Sequence, residues 1–133
     1  MEIRFDKKTV VVTGAQGGIG TAITEAFTAL GDRVVGLDLV DGFDVTDPDM
    51  CHAAAADLGP VDVLCNNAGI AAVGDVVAST PEEWERVFAV NVFGTANMSR
   101  AFLPAMRTAG RGAIVNTCSV VASVGLVERA VYG

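Results

Sequence analysis

Three valines, Val10 to Val12, run directly into Thr13-Gly14-Ala15-Gln16-Gly17-Gly18-Ile19-Gly20, and the apolar residues beyond (Ile19, Ala22, Ile23, Ala26, Phe27, Leu30) recur at helical spacing. A strand, a glycine-rich turn and a helix in that order leave few folds open. Glycine serves such a turn in two ways: it accepts positive φ, and without a Cβ it lets a phosphate reach the backbone N–H groups at the helix start. Gly14, Gln16, Gly17, Gly18, Ile19 and Gly20 are therefore candidate phosphate-binding residues. Glycine turns occur in many loops, so Gly17 also reads as a plain turn residue and Gly31 as the left-handed cap of the helix begun at Gly18.

The rest of the chain alternates between the same two kinds of element. Strands are expected at Lys8 to Thr13, Arg33 to Leu39, Val61 to Asn66 and Gly112 to Cys118, with a short one at Phe43 to Val45. Val40-Asp41-Gly42 leaves no room for a crossover helix before Phe43, so a turn stands there. Asp47 before Pro48 predicts an N-cap and a helix ending near Leu58, ahead of Gly59-Pro60. Thr80-Pro81-Glu82-Glu83 is a capping box at the head of a helix reaching about Arg107. Its apolar residues, Trp84 to Met106, cover more than one face and predict burial on both sides. The pattern is that of an α/β protein, a Rossmann-like doubly wound parallel sheet of about five strands, with its ligand at the strands' carboxyl ends. Residues 1–133 read as a single dinucleotide-binding domain.

Composition removes several function classes. A net charge of −7 without a Lys/Arg cluster argues against nucleic acid as a partner. No apolar run approaches a membrane span, and Met1 to Lys8 is too charged for a signal peptide, so a cytoplasmic protein is expected. The hydrophobic share of 51% is high and fits either strands buried on both faces or a surface awaiting a partner. Cys51, Cys65 and Cys118 lack C-x-x-C spacing and read as small buried hydrophobes. His52 beside Cys51 lacks further ligands; it reads as a helix surface residue, and no metal is expected.

Asp38 ends the second strand 18 residues after Gly20, where a carboxylate would accept hydrogen bonds from an adenosine ribose and repel a 2′-phosphate. That predicts NAD over NADP; the plainer alternative is a strand-end turn residue. The chain resembles the N-terminal part of a short-chain dehydrogenase/reductase, a family with a T-G-x-x-x-G-x-G turn, here Thr13 to Gly20, and an N-N-A-G motif, here Asn66 to Gly69. The resemblance implies that Asn67, Ala68 and Gly69 line the adenosine side of the cofactor and that Asp44 and Val45 meet the adenine. It also implies that Asn91 holds a water for proton relay, that Ser119 hydrogen-bonds the substrate oxygen, and that Tyr132 is the general acid/base. The implied activity is NAD-dependent interconversion of an alcohol and a carbonyl, in a homo-oligomer (tetramer or dimer) that uses the long helix.

The family's tyrosine opens a Y-x-x-x-K segment whose lysine would fall three residues beyond Gly133. Without that ammonium a phenol of pKa about 10 exchanges protons slowly near neutrality. A chain ending here is expected to be a truncated product, a fragment or part of a longer enzyme, with an open apolar edge at its last strand and little turnover. A nucleotide-binding or regulatory module without catalysis is the competing reading. Val120 to Val127 either line a partly apolar substrate pocket or simply pack as loop.

Overall fold

The computed structural model describes residues 7–132; most of the charged opening stretch and Gly133 lie outside the described residues. Four parallel strands form one sheet in the order β2-β1-β3-β4, where β1 is Thr9–Thr13, β2 Arg33–Leu37, β3 Val63–Asn66 and β4 Ala113–Asn116. Val11 pairs with Val35 on one side and Leu64 on the other, and Leu64 in turn with Ile114. A strand flanked by two others and covered on both faces cannot alternate polar residues. Val10, Val11 and Val12 are accordingly fully buried.

Helices cover the two faces. Val10, Val12 and Cys65 pack with Ile23 and Phe27 of α1 (Gly18–Ala29). Val11 and Leu64 face the other way, onto Cys51 of α2 (Pro48–Leu58) and Met98, Phe102 and Met106 of α4 (Thr95–Ala109). This is the doubly wound α/β arrangement read from the sequence. The caps stand where expected: the Asp47 carboxylate accepts from the N–H groups of Asp49 and Met50 ahead of α2. Thr80 Oγ1 accepts from Glu83 N–H at 3.2 Å while Glu83 Oε2 accepts from Thr80 N–H at 2.9 Å, opening α3 (Pro81–Phe88). Gly31 is left-handed at φ 85°.

Five details differ from expectation. Phe43 to Val45 forms no strand: Phe43 N–H is taken by Asp38 O, Thr46 N–H by the Asp44 carboxylate, and Val45 O by Asn97 Nδ2, so the segment is wound into turns. The sheet of the described residues therefore has four strands, ending at β2 and β4. The long helix is not one α-helix: Ala89–Gly94, between α3 and α4, is π-helical. Nor is it buried on both sides, because Val87, Met98, Phe102 and Met106 are buried while Phe88, Val92, Phe93 and Leu103 are exposed. Ile19, on the apolar stripe of α1, is exposed, and so is Cys118; only Cys51 and Cys65 are buried. His52 is exposed on α2, as read.

Candidate functional site

The order β2-β1-β3-β4 fixes where a crevice must open. The chain leaves β1 through α1 to reach β2 on one side, and returns through α2 to place β3 on the other, so the segments beyond β1 and β3 diverge at their carboxyl ends. A cavity of about 550 Å³ lies there. One wall is the turn after β1, with Gly14, Gln16, Gly17, Gly18 and Ile19; the opposite wall is Asn67, Ala68 and Gly69 after β3; Asp38, Asp44 and Val45 close one end.

The first helical bond of α1 runs from Thr21 N–H to Gly17 O at 2.8 Å, which leaves the N–H groups of Gly18, Ile19 and Gly20 as the orphan donors of the helix start. No side chain caps this end, and its first turn carries no acid. Such an end has the donors and the positive dipole end that suit an anion. The glycines fit that use. Gly18 has open space where a Cβ would stand, so nothing holds a ligand off the amides. Gly14, at φ +62°, would put a Cβ 2.9 Å from Ala68 Cα, so only bare backbone lets the two walls close to this distance, and a Cβ on Gly20 would run into the Gly14 carbonyl oxygen, so the turn itself closes only with glycine there. Gly20 is thus buried behind the cavity and does not line it.

Two side chains weld the walls together. Thr13 Oγ1 accepts from the N–H groups of both Asn67 and Ala68 at 3.0 Å. Asn67 Nδ2 returns the connection, donating to Thr13 O and Gly14 O at 3.2 Å, and its Oδ1 accepts from Thr117 Oγ1 just past β4. The Asp38 carboxylate, half-buried at the end of β2, accepts from Gln16 N–H at 2.9 Å and Val40 N–H at 3.2 Å. No lysine or arginine stands among the described residues lining the cavity.

Asn91, Ser119 and Tyr132 do not line this cavity. Asn91 lies in the π-helical segment, and its amide is spent on one peptide: Oδ1 accepts from Ile70 N–H and Nδ2 donates to Ile70 O, both at 2.8 Å. It therefore holds the residue that follows Asn66 to Gly69. Ser119 is half-buried beyond β4, and its hydroxyl accepts only a long bond from Val121 N–H at 3.5 Å. Tyr132 is half-buried in a turn, after Val131, which packs with Ala72 and Val87. Of the loop between them, Val121 is buried while Val120, Val124 and Val127 are exposed.

Sequence reasoning missed Thr13, whose hydroxyl joins β1 to β3, and the apolar wall residues Leu37, Leu39, Val40, Phe43, Ile70 and Val90. Their signal was adjacency: Leu39 and Val40 follow the strand-end acid, and Ile70 follows Gly69. It also missed buried Asn97, which donates to Val45 O at 3.0 Å and fixes that end of the cavity. Burial pushes the Cys51 thiol up to about 11, with Asp47 and Asp44 adding to the effect, and burial also raises Cys65. Neither thiol ionises near neutrality.

The family model described as short chain dehydrogenase matches residues 38–133. The chain is 34% identical to D-threitol dehydrogenase of Mycolicibacterium smegmatis over 155 residues, covering 98% of this chain and 60% of that protein. It is 37% identical to galactitol 2-dehydrogenase (L-tagatose-forming) of Cereibacter sphaeroides, over 91% of this chain and 56% of that one. A crystal structure of a short-chain dehydrogenase from Streptomyces avermitilis superposes with a TM-score of 0.88 at 37% identity, covering 96% of this chain and 55% of that one. The chain thus spans little more than half the length of the relatives it matches. No helix of the described residues is long and apolar enough to cross a membrane.

Proposed function

The chain belongs to the short-chain dehydrogenase family, and on that premise we propose that it is an oxidoreductase that uses NAD in preference to NADP to interconvert an alcohol and a carbonyl. The observation that carries the reading is the pairing, across one cavity, of an uncapped helix start with the Asp38 carboxylate. The amides of Gly18 and Ile19 hold the diphosphate. Asp38 takes the ribose hydroxyls, Asp44 and Val45 flank the adenine, and Asn67 to Gly69 form the floor. The dinucleotide supplies the hydride acceptor or donor. Ser119 has a hydroxyl proton free to donate to a substrate oxygen, and Tyr132 exchanges the substrate's proton as general acid/base. Asn91 steadies the wall through Ile70, on whose peptide both ends of its side-chain amide are used.

The names of the relatives suggest a polyol as substrate. The exposed apolar face of Phe88, Val92, Phe93 and Leu103 supports a homo-oligomer, and the buried reduced thiols suit the cytoplasm. Calorimetric titration with NADH and NADPH tests the cofactor assignment. NADH is expected to bind at least tenfold more tightly, and equal or reversed affinities defeat it. A second reading, nucleotide binding without turnover, is favoured by Ser119 and Tyr132 standing outside the cavity wall. NADH binding with no oxidation of threitol, galactitol or sorbitol would select it.

A further inference from the structure

We infer that discrimination against a 2′-phosphate is shared between two carboxylates, Asp38 and Asp41, and that Asp41 is a specificity-determining residue of this site. The inference rests on the dinucleotide reading above and goes beyond it, because Asp41 stands past the strand-end position to which that reading assigns the ribose.

Asp38 caps a 3-10 turn, Leu39–Asp41, with its carboxylate on Val40 N–H and its carbonyl accepting from Asp41 N–H at 3.0 Å and Phe43 N–H at 3.0 Å. Asp41 ends that turn, three residues past Asp38. The glycine-rich wall shows how the two side chains are related. Gln16 reaches both acids at once: its N–H donates to Asp38 Oδ2 at 2.9 Å and its Nε2 to Asp41 Oδ2 at 2.7 Å. Gln16, which lines the cavity, thus ties both carboxylates to the glycine-rich turn; Asp38, half-buried, lines the cavity as well, and Asp41 is exposed just outside that lining.

The cavity wall carries no lysine or arginine among its described residues, and its second lining acid, Asp44, adds the same sign as Asp38. A phosphate on the ribose would face both carboxylates, whereas a bare hydroxyl can donate to either. Removing one acid leaves the other in place. Substitution of Asp38 alone should consequently leave part of the preference for NADH standing.

The test uses the full chain and measures NADH and NADPH binding by calorimetry on the wild type, Asp41→Asn, Asp38→Asn and the double variant. Asparagine keeps an oxygen for Gln16, and position 41 is exposed, so Asp41→Asn removes charge while leaving the turn intact. It should shift the ratio of NADPH to NADH affinity about fivefold toward NADPH, as expected for one unit charge near a phosphate in largely aqueous surroundings. The gain should shrink as salt rises from 0.05 to about 0.5 M. The double variant should gain more for NADPH than either single one. If Asp41→Asn keeps the wild-type ratio of NADH to NADPH affinity while Asp38→Asn changes it, the second carboxylate has no role and the dinucleotide reading survives. If the wild type binds neither nucleotide, that reading fails and takes the inference with it.

Discussion

Thr13→Val isolates the joint between the two walls of the site. Thr13 is 1% exposed, and its hydroxyl oxygen accepts the N–H groups of Asn67 and Ala68 at 3.0 Å and lies 3.5 Å from Cys65 O, to which it donates weakly. Valine keeps the β-branched shape that a central strand favours, so packing is preserved and only the hydroxyl is lost. Each orphaned buried N–H costs about 1–3 kcal/mol. Residues 67 and 68 are half-buried, which places both losses near the low end and the total near ~2–3 kcal/mol. Burying a methyl in place of a hydroxyl returns about 0.8 kcal/mol or less. The net expectation is a loss of about 2 kcal/mol, a large part of the stability of a domain this size. Equilibrium urea unfolding followed by the fluorescence of Trp84 measures it, and the melting point should fall by about 6–10 °C. Thr13→Ser retains the acceptor and removes only a methyl, so it should lose about half as much or less. A valine variant within 0.5 kcal/mol of the wild type, or a serine variant as weak as valine, would refute the idea that this hydroxyl ties β1 to β3.

Two further outcomes follow from the same geometry. Gly18→Ala meets nothing within 4 Å and should leave stability unchanged or slightly higher, yet its methyl enters the phosphate space and should weaken NADH binding about tenfold; Gly14→Ala, with Ala68 Cα 2.9 Å away and φ at +62°, should instead cost about 1–3 kcal/mol of stability. A Gly18→Ala protein that binds NADH as the wild type does would move the phosphates elsewhere. Maleimide labelling of the folded chain near neutral pH should modify Cys118 alone, since Cys51 and Cys65 are buried. Because the folded Cys51 thiol titrates at about 11 against an ordinary 9.0, the unfolded state loses its proton first as pH rises, and the chain should lose stability between those values. Cys51→Ala should flatten that loss, and an unchanged profile would contradict the assignment.

What the sequence disclosed depended on how far apart the partners lie. The capping box joins Thr80 to Glu83, three positions on, and the glycine turn is contiguous; each is complete within one turn of chain. The amide of Asn91 is satisfied by Ile70, 21 residues away, and the hydroxyl of Thr13 by residues 54 and 55 positions on. No local pattern encodes such pairs. Ile19 failed for a related reason: its spacing places it on the apolar stripe of α1, but the stripe's first turn faces the cavity and not the sheet. Position on a periodic face sets a direction only; whether protein or ligand fills that direction is a tertiary fact.

Phe43 to Val45 carries the same lesson into the site. Its residues have the composition of a strand, and a strand there could have extended the sheet beyond β2. The backbone groups that pairing requires are already committed, to Asp38, to the Asp44 carboxylate and to Asn97, and that commitment begins with the 3-10 turn capped by Asp38. The turn does two things together. It stops the sheet of the described residues at β2, and it brings Asp41 within reach of Gln16. Breaking the cap alone therefore separates the two effects: Asp38→Asn still accepts from Val40 N–H and keeps the turn, whereas Asp38→Ala frees it. Any loss of NADH binding shared by both variants reports the carboxylate's charge, and any loss confined to alanine reports the turn that Asp38 caps.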